Sequence, residues 1–192
     1  MRFFLCLLLA SVANAQQPPA GVPYAWYQPA GLKAEHAAVS AWHSSAGEHP
    51  ERSLTRVTGR PQHLLVSTAD GDRSIVRFNG RDALWQAVGS WGTLTGPRTV
   101  LVLARLPGDS SGVLLDGSTK AGSLPFTWQR TGFAQPVRAA VEAGQGDWQA
   151  RAFVFPAGTS PLGGLIVGAN VAQQEGLKCD VAELLIYPRA LT

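Results

Sequence analysis

The chain has 192 residues, of which 45% are hydrophobic and 15% are charged, and its formal net charge is +3. Gly and Pro contribute 21 and 13 of the 192 residues. Together they exceed the share of about 12% that these two residue types usually make up. This composition excludes a helical bundle, a coiled coil and a disordered chain. We expect one β-rich folded domain, because the length leaves no room for a second core.

The N-terminus has the features of a secretory signal peptide. Arg2 is followed by the apolar run Phe3–Ala10, and Ala13-Asn14-Ala15 supplies the small residues that precede cleavage. We expect residues 1–15 to be removed, which makes the mature chain secreted, periplasmic or part of the cell envelope. No later segment reaches the roughly 18 apolar residues of a membrane span, so none is expected.

A Pro-rich leader at residues 16–23 precedes short apolar segments that recur about every ten residues between Gly, Pro, Asp and Ser, as is typical of an all-β sandwich or barrel. The predicted strands are Ala25–Tyr27, Val39–Trp42, His63–Val66, Ser74–Phe78, Thr99–Leu106, Gly112–Asp116, Phe126–Arg130, Pro136–Ala143, Gln149–Phe155, Gly164–Val167 and Asp180–Tyr187. Val100–Ala104 is apolar throughout, which predicts a central strand covered on both faces. Helical periodicity occurs only in short segments such as Ala34–Val39.

Three segments carry a resemblance to a known family. Ser74–Gly80, followed by Asp82-Ala83-Leu84, resembles its "V-R-F-D-G-x-x-D-x-L" segment. Thr99–Arg105 resembles its central strand, and Cys179–Thr192 resembles its closing "G-x-I-A-E-V-L-I-Y-N-R-A-L-T". On these segments the chain is similar to laminin G-like, concanavalin A-like domains.

This resemblance implies a fold and a domain organisation. The family forms an all-β jelly-roll sandwich of two antiparallel sheets, which we expect over residues 24–192. Relatives usually continue beyond the closing segment, so we expect either a stand-alone module or a truncated product. Cys179, the one cysteine outside the signal peptide, is expected to be a buried thiol that packs as a small hydrophobe.

Catalytic motifs are missing from the sequence. Glycosidases of this sandwich class place two carboxylates across the scissile bond, typically through an E-x-D-x-x-E run. Here Lys178 stands at the first Glu position, and strict alternation along a strand predicts that Asp180 and Glu183 lie on opposite faces. No zinc-type His spacing, nucleophile elbow or phosphate loop occurs. We therefore expect no enzymatic activity, and expect Glu183 to be satisfied by a backbone group or an Arg.

Tryptophans are the candidate sugar-binding residues, because an aromatic face stacks on the apolar face of a sugar. Trp26 and Trp42 fall in strand patterns and are expected in the core. Trp85, Trp91 and Trp148 lie near Gly-rich loops and are the candidates for exposed platforms. Core packing is the alternative for these three, as for any large aromatic in a sandwich.

Calcium is the one cofactor for which the sequence offers ligands. Asp116 and Asp147 lie next to glycines and could supply hard oxygen ligands, whereas an ordinary turn aspartate is the alternative for each. No other cofactor is expected.

These observations favour an exported, non-catalytic recognition module that binds a glycan or an extracellular protein surface through loops at one rim of the sandwich. Two alternatives remain open: an accessory domain of a secreted glycoside hydrolase such as a sialidase, and a purely structural envelope domain. Arginines such as Arg52, Arg56 and Arg60 are scattered singly, so nucleic acid is not an expected partner.

Overall fold

The fold is given by a computed structural model, which describes residues 21–47, 49–69, 71–86, 94–106, 112–117, 127–129, 132–133, 139–145, 148–157, 162–169 and 176–191. The predicted signal peptide, residues 1–15, lies outside these ranges. Across the described ranges, no helix has the length and apolar character to cross a membrane.

The described residues form fourteen strands and one short 3₁₀ helix, Pro50–Arg52. The strands are β1 (Ala25–Glu35), β2 (Ala38–Ser44), β3 (Leu54–Thr58), β4 (Gln62–Thr68), β5 (Gly71–Asn79), β6 (Ala83–Gln86), β7 (Arg98–Arg105), β8 (Val113–Asp116), β9 (Thr127–Gln129), β10 (Gly132–Phe133), β11 (Ala139–Gln145), β12 (Trp148–Phe155), β13 (Leu165–Val167) and β14 (Lys178–Tyr187). The pairings between these strands are antiparallel. The predicted all-β, antiparallel class is confirmed.

The strands make one hydrogen-bonded series with two halves joined by β1. Half A has the order β4-β5-β14-β7-β12-β11, and half B has the order β2-β3-β6-β13-β8-β9-β10. The first residues of β1, Ala25–Tyr27, pair with β14, and its last residues, Leu32–Glu35, pair with β2. A second junction pairs Gln62 of β4 with Ala38 of β2.

The main hydrophobic core takes side chains from both halves. Half A contributes residues such as Val102 and Leu184, and half B contributes residues such as Leu84. Trp42 is fully buried in this core, and the Cys179 thiol is buried there as well, as predicted for both. A core shared between two antiparallel layers is consistent with a β-sandwich.

Strand β7 is covered on both faces, as its unbroken apolar sequence predicts. It lies between β14 and β12. Val100 and Val102 point into the main core, whereas Leu101 and Leu103 belong to a second buried cluster on the opposite face of half A. We call this opposite face the outer face of half A; Trp26, also predicted to be buried, lies there.

The segment Ala34–Val39 forms a tight hairpin between β1 and β2 despite its short helical periodicity. His36 and Ala37 make the turn with φ angles of 47° and 67°. Positive φ at both central residues is the requirement of the type I′ turn, whose twist matches that of the flanking strands. A two-residue connection leaves no room for a helical turn.

Buried Asp82 connects the turn after β5 with the loop before β4. Its Oδ2 accepts a hydrogen bond from the Asn79 N–H at 3.0 Å, and its Oδ1 accepts one from the Arg60 N–H at 2.6 Å. Gly168, which follows β13, packs against the Asp82 backbone and the Phe78 ring. This junction sets the start of β6, because Ala83 immediately follows Asp82.

Candidate functional site

A row of paired residues crosses the face of half B that points away from the main core. Trp85 of β6 pairs with Thr55 of β3 on one side and with Ile166 of β13 on the other, and Ile166 pairs with Asp116 of β8. Their strand neighbours Leu84, Leu115 and Val167 point into the main core. Since side chains alternate along a strand, the row lies on the outer face of half B.

Trp85 is the large aromatic of this face. It packs against Ala83, Ile166 and Ala169, and part of its surface stays exposed. Two of these three neighbours are alanines, whose side chains are small. The sequence did not predict a strand here, and the expected rim-loop position of Trp85 is wrong: Trp85 lies in β6, on the face of a sheet.

Polar groups lie beside Trp85 on the same face. Thr55 is exposed, and its hydroxyl donates to the Trp85 carbonyl at 3.2 Å. Next to Thr55, the Oγ of Ser53 lies 2.8 Å from Nδ1 of His43, whose ring is exposed. A hydroxyl in the neighbouring strand β3 and an imidazole in the next strand, β2, thus lie on the same face as the indole, and both groups form hydrogen bonds with sugar hydroxyls. We call Trp85, Thr55 and His43 the Trp85 surface.

Asp116, one of the two calcium candidates, lies in the described part of the chain. Asp116 is buried at the far end of the Trp85 row, beyond Ile166. Asp147 and Trp91 lie outside the described residues. Within the described ranges, no group of three or more His, Cys, Asp or Glu side chains is placed to hold a metal ion.

Trp148 lies on the other side of the molecule, on the outer face of half A, and it is buried. Only 7% of it is exposed, so the expectation of an exposed platform is wrong for this residue. The Arg73 and Arg105 guanidinium groups lie 5.1 Å and 5.6 Å from its ring centroid. Such contacts are favourable cation–π interactions, and they occupy the ring that a sugar would need.

A β-bulge in β14 places two carboxylates on that same outer face. The register against β7 shifts between Val181 and Glu183, so Ala182 is an extra residue in the strand. Glu183 consequently shares a face with Asp180, and the predicted opposite placement is wrong. Strict alternation failed because a bulge adds one residue to the count.

Each of these carboxylates has its own partner. Glu183 accepts a 2.6 Å hydrogen bond from Trp26 Nε1, and burial raises its pKa although that bond and Arg73 act in the other direction. For Asp180, burial also favours the neutral form, but hydrogen bonds from Arg77 and Arg105 outweigh it and lower the pKa. Glu183 is hydrogen-bonded as expected, but the expected donor, a backbone group or an Arg, is wrong, because the donor is the Trp26 indole.

Replacing Glu183 with Gln is expected to stabilise the fold at neutral pH. The folded pKa lies above the reference value of 4.5, so the folded state holds the proton more tightly than the unfolded state does. The stabilisation that this tighter proton binding gives to the folded state is complete below that reference value, and it is lost as the pH rises through the folded pKa. The amide oxygen of Gln still accepts from Trp26 Nε1, but it carries no charge that burial would penalise.

Urea denaturation at about pH 4 and about pH 7 measures this effect, since stability depends on pH wherever a pKa differs between the two states. The advantage of Glu183→Gln over the parent should grow with pH. Glu35→Gln, at an exposed position, controls for the removal of a carboxylate. A stability difference that shrinks or stays constant with pH would contradict the prediction.

Comparisons with known proteins give no match for this chain among family models, curated proteins or solved structures.

Proposed function

We propose that this chain is an exported, non-catalytic recognition module that binds carbohydrate on the Trp85 surface. The observation that carries the proposal is a partly exposed indole seated on small side chains in a sheet face, with an exposed threonine in the neighbouring strand. The binding site is therefore a sheet face instead of the rim loops first expected.

The chemistry of this surface suits a sugar. A pyranose ring has an apolar face of C–H groups that packs against an indole, and hydroxyls at its edge that need hydrogen-bond partners. Thr55 and His43 supply such partners beside Trp85. The rigid sheet also keeps the cost of ordering the site on binding low.

We infer the jelly-roll arrangement of laminin G-like domains for the sandwich. The three segments that resemble the family supply β5 with β6, β7, and β14, and β14 lies between β5 and β7. Segments that are distant in sequence but share the resemblance are thus neighbours in the sheet. The signal peptide predicted at residues 1–15 supports export to the cell envelope or beyond it.

The absence of catalysis is part of the proposal. Asp180 and Glu183 share a face, but Asp180 is held in ion pairs with Arg77 and Arg105, and Glu183 accepts from Trp26. A glycosidase needs one of its two carboxyl groups free to donate a proton to the leaving group and the other free to act on the sugar or on water.

A glycan array probed with the purified mature chain tests the function. Trp85→Ala should weaken binding to the positive glycans about tenfold or more, because losing an aromatic contact together with its buried area costs at least about 1.4 kcal/mol. Trp85→Phe, which keeps an aromatic face, should retain most of the binding. Repeating the array with EDTA shows whether calcium takes part.

Two results would overturn the proposal. One is an array without saturable binding. The other is glycan binding that survives Trp85→Ala unchanged while Trp148→Ala, made in the buried indole on the opposite side, abolishes it in a folded protein.

A further inference from the structure

The outer face of half A carries a row of charged residues fixed by one buried carboxylate. Asp180 of β14 pairs with Arg77 of β5 on one side and with Arg105 of β7 on the other. The Asp180 oxygens accept from Arg77 Nε at 2.7 Å and Nη2 at 3.0 Å, and from Arg105 Nε at 2.9 Å and Nη2. Only 5% of the Asp180 side chain is exposed.

Both guanidinium groups keep donors beyond those that they use toward Asp180. A guanidinium has five N–H groups, and each arginine directs two nitrogens at this carboxylate. The side chain of Arg77 is 42% exposed and that of Arg105 is 28% exposed. Part of each charged group is therefore accessible from solvent.

The charge on this row is not balanced. One carboxylate lies between two guanidinium groups, and the exposed Lys178 adds a third cation on the same face, two residues before Asp180 on the unbulged part of β14. Glu183, the next acidic side chain on this face, accepts from Trp26 and lies near Arg73. Counted over the residues that the structure describes, the patch formed by Arg77, Arg105 and Lys178 thus keeps a positive excess.

The guanidinium groups are also held in place. Asp180 fixes Arg77 through two hydrogen bonds. Arg105 donates hydrogen bonds to the same carboxylate, and its guanidinium group lies over the Trp148 ring. Arginines with fixed planes recognise carboxylate or sulfate oxygens at a lower entropy cost than free side chains do. The patch is too small and too sparse for the phosphate array of a nucleic acid.

We propose that Arg77, Arg105 and Lys178 form a binding site for a single oxyanion, a sulfate or carboxylate group. The group is either a free anion or an acidic substituent of an oligosaccharide. The site lies on the opposite side of the main core from the Trp85 surface, so it does not depend on that surface.

Calorimetric titration of the full mature chain at low ionic strength tests the site. The probes are inorganic sulfate, a sulfated disaccharide and the same disaccharide without sulfate. Arg77→Gln should weaken binding of the sulfated disaccharide about tenfold or more, since it removes charge-assisted hydrogen bonds to the oxyanion. Lys178→Gln should weaken it several-fold. Lys178 is exposed, so this variant tests the site even if Arg77→Gln fails to fold.

Lys33→Gln is the matched control, because it removes one exposed lysine from β1, away from the patch. Unchanged binding in this variant and in Trp85→Ala supports the site and separates it from the proposed sugar surface. Equal affinity for sulfate and for the sulfated disaccharide assigns the site to free anions, and tighter binding of the disaccharide assigns it to acidic sugars. Absent binding, or equal weakening by Lys33→Gln and Lys178→Gln, overturns the proposal.

Discussion

Gly168→Ala should destabilise the fold by about 2–5 kcal/mol, because it combines a backbone conformation that costs an L-residue about 1–2 kcal/mol with overpacking that costs about 1–3 kcal/mol. Gly168 has a φ of +94°, and an added Cβ would lie 2.6 Å from the Asp82 carbonyl oxygen and 2.8 Å from Phe78 Cε1. The carbonyl belongs to the backbone and cannot swing away. The Phe78 ring is buried in the main core and has no free space to enter.

Two other glycines separate these causes. Gly71 has a φ of +111° with nothing within 4 Å of the added Cβ, so Gly71→Ala carries the conformational cost without the overpacking. Gly96 has open space and no unusual φ, so Gly96→Ala carries neither. The urea midpoint of unfolding should be highest for Gly96→Ala, lower for Gly71→Ala and lowest for Gly168→Ala. A Gly168→Ala protein as stable as Gly71→Ala would show that the junction around Asp82 relaxes freely.

Asp82→Ala is expected to lower the free energy of unfolding by about 3 kcal/mol, since it removes two hydrogen bonds that a buried carboxylate accepts from the backbone. Asp82 is 1% exposed, and its carboxylate accepts from the Asn79 and Arg60 N–H groups. Asp82→Asn keeps one carbonyl oxygen and should lose less. Chemical denaturation of both variants, at constant m-value, gives the comparison.

Asp72→Ala is the matched control for this loss. Asp72 also accepts a hydrogen bond, from the Ser67 hydroxyl at 2.7 Å, but both partners are at the surface. Water replaces a surface hydrogen bond, so the change should stay within about 0.5 kcal/mol. If Asp72→Ala cost as much as Asp82→Ala, the stability of the junction could not be attributed to burial.

The junction around Asp82 also bears on the Trp85 surface. β6 starts at Ala83, directly after Asp82, and Trp85 is the third residue of that strand. Gly168 follows β13, the strand whose Ile166 supports the indole. The buried junction around Asp82 therefore lies at the start of the strand that presents Trp85.

Several structural features follow from local sequence. The unbroken apolar segment of β7 predicted a strand covered on both faces, because each side chain of such a strand must find an apolar partner. Trp42 and Cys179 stand in apolar strand patterns, which predicted their burial. Short apolar segments between turn-forming residues predicted the all-β class, since a strand pattern and its turns are encoded over a few residues.

Other features depend on residues far apart in the chain. The bulge at Ala182 appears only in the register of β14 against β7, so no alternation read along β14 could place Glu183 beside Asp180. Trp148 is buried because arginines of β5 and β7 lie over its ring, and Trp85 stays partly exposed because its neighbours are small.

Local sequence accounts for the β-rich class, for the position of most strands and for the burial of Trp42 in the main core, whereas Trp26, expected in the core as well, lies on the outer face of half A. The tertiary structure decided which face each candidate side chain shares with which partner. Strand patterns and turns are set by neighbours in sequence, whereas register, bulges and the cover over a sheet face are set by pairing between distant segments. Arg77 and Asp180, for example, are 103 positions apart in the chain.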